Sequence, residues 1–236
     1  MFKLALGAGH GLRTAGKRCL KSLDRNETRE WWLNDRVCDY IQDKLSDYDG
    51  VSVLRMDDSD DGADDVALAD RAKAANAFGA DLYLSIHHNA GMNGGSGGGI
   101  VAFCHPNAGS ATKGWRDALY MELIQLTGLK GNRAEPLATA NFQILRQTAM
   151  PAVLLELGFM DSSTDVPVIQ SDDYAQKCAQ AIVNVIAARA GLVKKTKDPT
   201  GVRYRVQAGA FNNRDNADAL VRELAAKGIA AFVTKA

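Results

Sequence analysis

The stretch Leu82-Tyr83-Leu84-Ser85-Ile86-His87-His88-Asn89-Ala90 is an apolar run that ends in histidine. Residues 82 to 86 read as a buried strand, and His87 stands where that strand ends. Working outward toward the N-terminus, Val66 to Asn76 reads as a helix and Val51 to Leu54 as a short strand. Glu30 to Leu45 carries Leu33, Val37, Ile41 and Leu45 at a helical period, and Phe2 to Leu6 reads as another buried strand. Toward the C-terminus come a strand at Gly99 to Phe103, a helix at Thr112 to Leu126 and a strand at Val153 to Leu157. Tyr174 to Ala190 closes the series as a helix with Ala179, Ile182, Val183 and Ile186 on one face. Strands alternating with helices predict an α/β domain over residues 1–192, with a largely parallel, twisted sheet flanked by helices.

After Leu192 the composition changes. The run Lys194-Lys195-Thr196-Lys197-Asp198-Pro199-Thr200-Gly201 holds no apolar residue, so residues 193–202 read as a linker. Beyond it, Tyr204 to Ala208 reads as a strand, Asn216 to Lys227 as a helix stopped by Gly228, and Ala230 to Thr234 as a strand. Residues 203–236 thus form a small βαβ unit, of a size that rarely folds alone.

Composition excludes several classes of function. Lysine plus arginine equals aspartate plus glutamate at 28 each, so no basic field points to nucleic acid. No run reaches the roughly 18 apolar residues of a membrane helix, so membrane insertion is not expected. The apolar N-terminal stretch through Leu6 is too short for a secretory signal. The expectation is synthesis in the cytoplasm without a signal peptide, and action on an external substrate only after release. Cys19, Cys38, Cys104 and Cys178 show no C-x-x-C pair and are expected as reduced thiols.

Two polar stretches carry less chemistry than they suggest. In the run Asp57 to Asp65, a calcium loop would need glutamate at its twelfth position, where Leu68 stands. A solvated acidic loop is the expectation. The glycine-rich run Gly91 to Gly99 has no phosphate-binding pattern and reads as a flexible rim beside His87.

Three residues draw attention to a site. His10 follows the first strand within Gly7-Ala8-Gly9-His10-Gly11, and His87 ends another. Sites in open α/β sheets gather at the carboxyl ends of strands. Glu156 lies inside Val153-Leu154-Leu155-Glu156-Leu157-Gly158-Phe159, where an acid is costly to bury unless paired or near a metal. From the residues alone, this supports a metallohydrolase and nothing finer.

The blocks Gly9-His10-Gly11, Ser85-Ile86-His87-His88-Asn89-Ala90 and Leu154-Leu155-Glu156-Leu157-Gly158-Phe159 resemble those of the zinc-dependent N-acetylmuramoyl-L-alanine amidases called Amidase 3. Supporting segments are Leu68-Ala69-Asp70-Arg71 with Ala75-Asn76, Ala140-Asn141-Phe142 with Leu145-Arg146, and Ala149-Met150-Pro151-Ala152. The similarity runs in order from residue 1 to about residue 190.

The resemblance implies a Zn2+ ion held by His10, His87 and a glutamate. That glutamate is Glu30 rather than Glu27, because the family's glutamate opens a helix with an asparagine four residues on, and Asn34 holds that place. Glu156 becomes the catalytic residue that moves a proton from water to the leaving amine. Arg71, Asn89 and Asn141 are the implied substrate contacts. His88 should point away from His87, and His105 reads as a loop residue. The bond cut would be the amide between the lactyl group of N-acetylmuramic acid and L-alanine of the peptidoglycan stem. One departure stands out: the family's Asp-Pro before Gly-His is Gly7-Ala8 here, so another group, such as a backbone carbonyl, must orient His10.

The C-terminal unit resembles the first half of a SPOR peptidoglycan-binding domain, through Tyr204 to Phe211, Asn216 to Leu220 and Gly228. Two readings stay open for it: a truncated tail, or a half that a second chain completes to make a homodimer. The implied role is cell-wall lysis, as a phage endolysin or as a sporulation autolysin acting on the mother cell. The alternatives are an inactive wall-binding protein and a zinc carboxypeptidase acting on stem peptides.

Overall fold

A computed structural model describes residues 1–57, 64–196, 208–226 and 233. The chain divides into two compact units, Met1–Lys195 and Thr196–Ala236. In the first unit the elements run β1 (Phe2–Ala8), α1 (Glu30–Leu45), β2 (Tyr48–Asp49), β3 (Val51–Arg55), α2 (Leu68–Phe78), β4 (Leu82–Asn89) and β5 (Ile100–Cys104). They continue with α3 (Ser110–Thr127), β6 (Leu137–Thr139), α4 (Gln143–Gln147), β7 (Ala152–Phe159), α5 (Val166–Ile169), α6 (Asp172–Ala190) and β8 (Val193–Lys194).

Six strands form one sheet in the order β3-β1-β4-β7-β5-β6. The first four in that order are mutually parallel. β5 runs antiparallel to β7, and β6 pairs parallel to β5. The sheet is therefore largely parallel, as the alternation of elements predicts. The reversal at β5 has no signature in the apolar pattern.

Alternation along each strand divides the core into two layers. Leu4, Leu6, Leu82, Leu84, Ile86, Val153 and Leu155 join one cluster with residues of α1, α3 and α6. Ala5, Tyr83 and Leu154 face the other side, packing with Ala72 and Ala75 of α2 and Ile144 and Leu145 of α4. The second layer is thinner, and it leaves the carboxyl ends of β1, β4 and β7 to polar residues.

Several elements extend beyond the apolar runs that predict them. β4 continues through Asn89 because its register partner Phe159 extends β7 equally, and backbone pairing needs no apolar side chain. α6 starts at Asp172 because the Ser171 hydroxyl accepts from the Tyr174 amide at 3.1 Å. The pair β2–β8 is too short to read from sequence, and it places Val193–Lys194, where the linker was expected to begin, against Tyr48–Asp49. All four cysteines are free and buried. In the second unit α7 spans Arg214–Ala226. The strands expected at 204–208 and 230–234 fall outside the described residues apart from Ala208 and Val233. Much of the acidic run 57–65 does as well. Among the described residues, no helix is long and apolar enough to cross a membrane.

Candidate metal centre

β1 ends at Ala8, and the chain turns through Gly9 and His10 beside the end of β4. Gly9 is required there: a Cβ would lie 2.0 Å from Cε1 of His87. His10 takes φ +66, a left-handed conformation that costs energy for any residue but glycine and marks a constrained position. Glu30 opens α1, whose Leu33, Val37, Ile41 and Leu45 are buried in the core with the sheet. His87 and Glu156 are register partners on β4 and β7, so the parallel pairing itself brings them side by side.

These elements converge. One donor atom from each of His10, Glu30 and His87 lies within 4.8 Å of the others, among the described residues the one such group of candidate metal ligands. Glu30 Oε1 lies 3.1 Å from His87 Nδ1 and 3.4 Å from His10 Nε2. The two imidazoles meet edge-on, with centroids 5.0 Å apart. Glu30 Oε2 and Glu156 Oε2 are buried without a hydrogen-bond partner, an arrangement costly unless a cation or ligand completes it. Two nitrogens and a carboxylate oxygen form a donor set that suits zinc.

The electrostatics divide the two acids. Burial pushes the Glu30 carboxyl up, but the hydrogen bond and charge of His87, with His10 and Lys17, outweigh it and hold the group at about 2. Burial dominates at Glu156, where His87 and Lys17 oppose it only in part, and the carboxyl is pushed up to about 7. One acid is thus fixed as a ligand-like anion, and the other is poised to exchange a proton near neutrality.

The remaining expected residues fare differently. Glu27 pairs with Arg18 at 3.1 Å and Lys21 at 3.6 Å, away from the histidines. His88 is buried on the α1 side of the sheet, with Nδ1 2.7 Å from Asn34 Oδ1. Asn34 also donates to the Gly9 carbonyl, so the asparagine that follows Glu30 by one turn ties α1 to both histidine-bearing strands. Asn89 stays at the end of β4, its side chain accepting from the Ala90 amide.

The other two expected substrate contacts have protein partners of their own. Arg71 is 3% exposed, and its guanidinium donates to the Val66, Ala8 and His10 carbonyls. It positions the His10 turn and has no open face for substrate. Asn141 accepts from Arg146 and lies 3.2 Å from His105 Nε2. Because β5 runs against β7, Cys104 and His105 stand at the entry end of β7, roughly 10 Å or more from Glu156. Asn141, held to that loop, is not brought to the cluster.

The glycine-rich turn after β4 is also tethered. Gly91 and Asn93 amides donate to Asp161, Gly97 to Thr164 and Gly99 to Asp165. Its amides are bonded to side chains of the loop after β7, an ordering that the glycine-rich composition does not suggest. The Asp65 carboxylate lies 3.6 Å from His10 Nδ1 and is itself paired with Arg71. Neither Asp65 nor Lys17, whose ammonium lies 3.8 Å from Glu30 Oε2, has a sequence signal. Each depends on a loop folding back over the site.

A family model described as N-acetylmuramoyl-L-alanine amidase matches residues 4–188. The chain belongs to the N-acetylmuramoyl-L-alanine amidase family. It is a peptidoglycan hydrolase of that activity, and a SPOR domain model matches residues 200–236 of the amidase. A sporulation-specific N-acetylmuramoyl-L-alanine amidase of Bacillus subtilis is 34% identical over 99% of this chain and 84% of its own length. An endolysin of Bacillus phage SPP1 is 32% identical over 83% of this chain and 69% of its own. The amidase fold matches the solved catalytic domain of CwlV, an N-acetylmuramoyl-L-alanine amidase from Bacillus (Paenibacillus) polymyxa. The TM-score is 0.70 at 23% identity, covering 81% of this chain and 99% of that one.

Proposed function

We propose that His10, Glu30 and His87 hold a zinc ion and that Glu156 carries the proton in hydrolysis of the amide between the muramoyl lactyl group and L-alanine. The observation that carries this reading is the convergence of three metal-donor side chains beside a buried acid at the carboxyl ends of parallel strands. Zinc bound there supplies Lewis acidity toward a water or a carbonyl oxygen. Glu156, held near neutrality by burial, takes the proton from the attacking water and returns it to the leaving nitrogen. As the C–N bond breaks, the lactyl side gains a C–O bond and leaves as carboxylate. Asp65 and Arg71 hold the His10 turn in place, and Asn89 offers a polar contact at the rim.

Product analysis tests the bond assignment. Digested peptidoglycan should show new L-alanine amino termini and free lactyl carboxylates. Release of C-terminal D-amino acids with intact muramoyl amides would indicate a carboxypeptidase, and zinc-loaded enzyme that binds walls without releasing either would indicate an inactive binder.

The proposal extends to the setting and assembly. Relatives named for sporulation and for phage lysis support a lytic enzyme that meets the wall on release from the cell. Pairing of two chains through residues 203–236 into a homodimer is part of the same proposal. Light scattering with and without residues 203–236 tests it; the full chain at monomeric mass ends the idea.

A further inference from the structure

The segment from residue 11 to residue 29 is tied down by its own hydrogen bonds beside the His10–Glu30–His87 group. The Glu30 amide donates to the Lys17 carbonyl at 3.0 Å, and Arg18 and Arg29 form an isolated antiparallel bridge. The Arg29 guanidinium donates to the Leu12 and Thr14 carbonyls at 2.7 and 3.1 Å. Asp24 accepts from the Asn26 and Thr28 amides. These bonds fix the backbone at Lys17 while leaving its side chain 43% exposed.

The Lys17 ammonium stands 3.8 Å from Glu30 Oε2, beyond hydrogen-bond length and with no good geometry to improve it, since that oxygen is buried without a hydrogen-bond partner. The same Glu30 carboxylate reaches both histidines through Oε1, so the ammonium stands at the edge of the His10–Glu30–His87 group. A divalent cation on the three ligands would repel this ammonium from its place beside Glu30. An anion arriving in the same space would satisfy both cations. Hydrolysis of the neutral muramoyl amide creates one: water adds its oxygen to the carbonyl carbon, the C–N bond breaks, both water protons end on the leaving amine as an ammonium, and a carboxylate is left on the lactyl group.

We infer that Lys17 receives the lactyl carboxylate formed on the muramic acid side, which makes it a product-binding residue of the reaction. The inference rests on the amidase assignment above. Arginine would preserve the charge and a donor, and methionine would keep only the stem.

The test uses the zinc-loaded full chain and two probes, N-acetylmuramic acid and its uncharged lactyl amide. Calorimetry should show the acid bound about tenfold more weakly by Lys17→Met than by wild type. The uncharged amide should bind both equally, Lys17→Arg should recover most of the loss, and zinc content should stay unchanged. Equal binding of the acid by wild type and Lys17→Met would overturn the inference, as would loss of zinc in Lys17→Met, which would make the lysine a partner of Glu30 alone. Wild-type digestion of peptidoglycan run in parallel separates the layers. If wild type frees lactyl carboxylates and the variant binds the acid normally, only the Lys17 assignment falls. If wild type frees none, the amidase assignment falls with it.

Discussion

Glu30 and Glu27 are three residues apart, and only one of them reaches the histidines. Glu30 is 1% exposed with both histidines within 3.4 Å of one oxygen, whereas Glu27 serves Arg18 and Lys21. Glu30→Gln should reduce bound zinc from one per chain to well below half, and Glu27→Gln should leave it unchanged, as measured by metal analysis after dialysis. Zinc retained by Glu30→Gln would contradict the ligand set. The same carboxyl sets an acid dependence in zinc-free protein, since it lies at about 2 in the fold against an ordinary value of 4.5. A depressed acid contributes stability above its unfolded value and loses it as pH falls through its folded value. The urea midpoint of zinc-free wild type should therefore fall between about pH 5 and about pH 2.5 more steeply than that of Glu30→Gln. Parallel slopes would contradict the assignment.

At the scale of elements, the site is made by a turn and a register. Gly9 lets β1 pass over His87, and β4 pairs with β7 so that His87 and Glu156 are neighbours. Gly9→Ala would put a methyl group into the imidazole; the strand must shift, which should cost about 1–3 kcal/mol of stability and most of the zinc affinity. Chemical denaturation with metal titration reads both, and a variant equal to wild type in each would remove the turn from the account. The strand-end histidines and the buried acid were legible because few sequences place such residues after apolar runs. Glu30 was legible only through Asn34 one turn later, and the structure gives that spacing a cause: Asn34 bridges Gly9 and His88. Lys17 and Asp65 were not legible, because their places depend on loops whose bonds are mostly to backbone. Arg71 and Asn141 were expected as substrate contacts, and their surroundings in the fold were not legible. Matched segments say which residues recur, and neither burial under the His10 turn nor the reversal of β5 is written in them.

For the whole molecule, the chain divides at Lys195, and the proposed chemistry and the proposed wall attachment fall on different sides of that division. His10, Glu30, His87 and Glu156 all belong to the first unit, and the SPOR match lies in the second. A chain ending at Lys195 should keep its zinc and its rate on soluble glycopeptide fragments within about twofold. Its retention on insoluble peptidoglycan in a pull-down should fall several-fold; equal retention would place wall binding in the first unit. The alternation of elements sufficed to predict the α/β sheet, since each apolar run had to be buried somewhere. It was silent on strand direction at β5 and on the pairing of β2 with β8, where backbone bonds rather than side chains decide.

The central claim is that a metal held by three side chains and a proton carried by a fourth together cut the muramoyl amide. Release of new L-alanine amino termini from purified peptidoglycan by zinc-loaded wild type, by chelated wild type and by Glu156→Ala tests it most directly. Glu156→Ala should keep one zinc per chain and lose at least about 100-fold in rate, and chelated wild type should be inactive until zinc is restored. Full release by Glu156→Ala, or by the chelated enzyme, would contradict it.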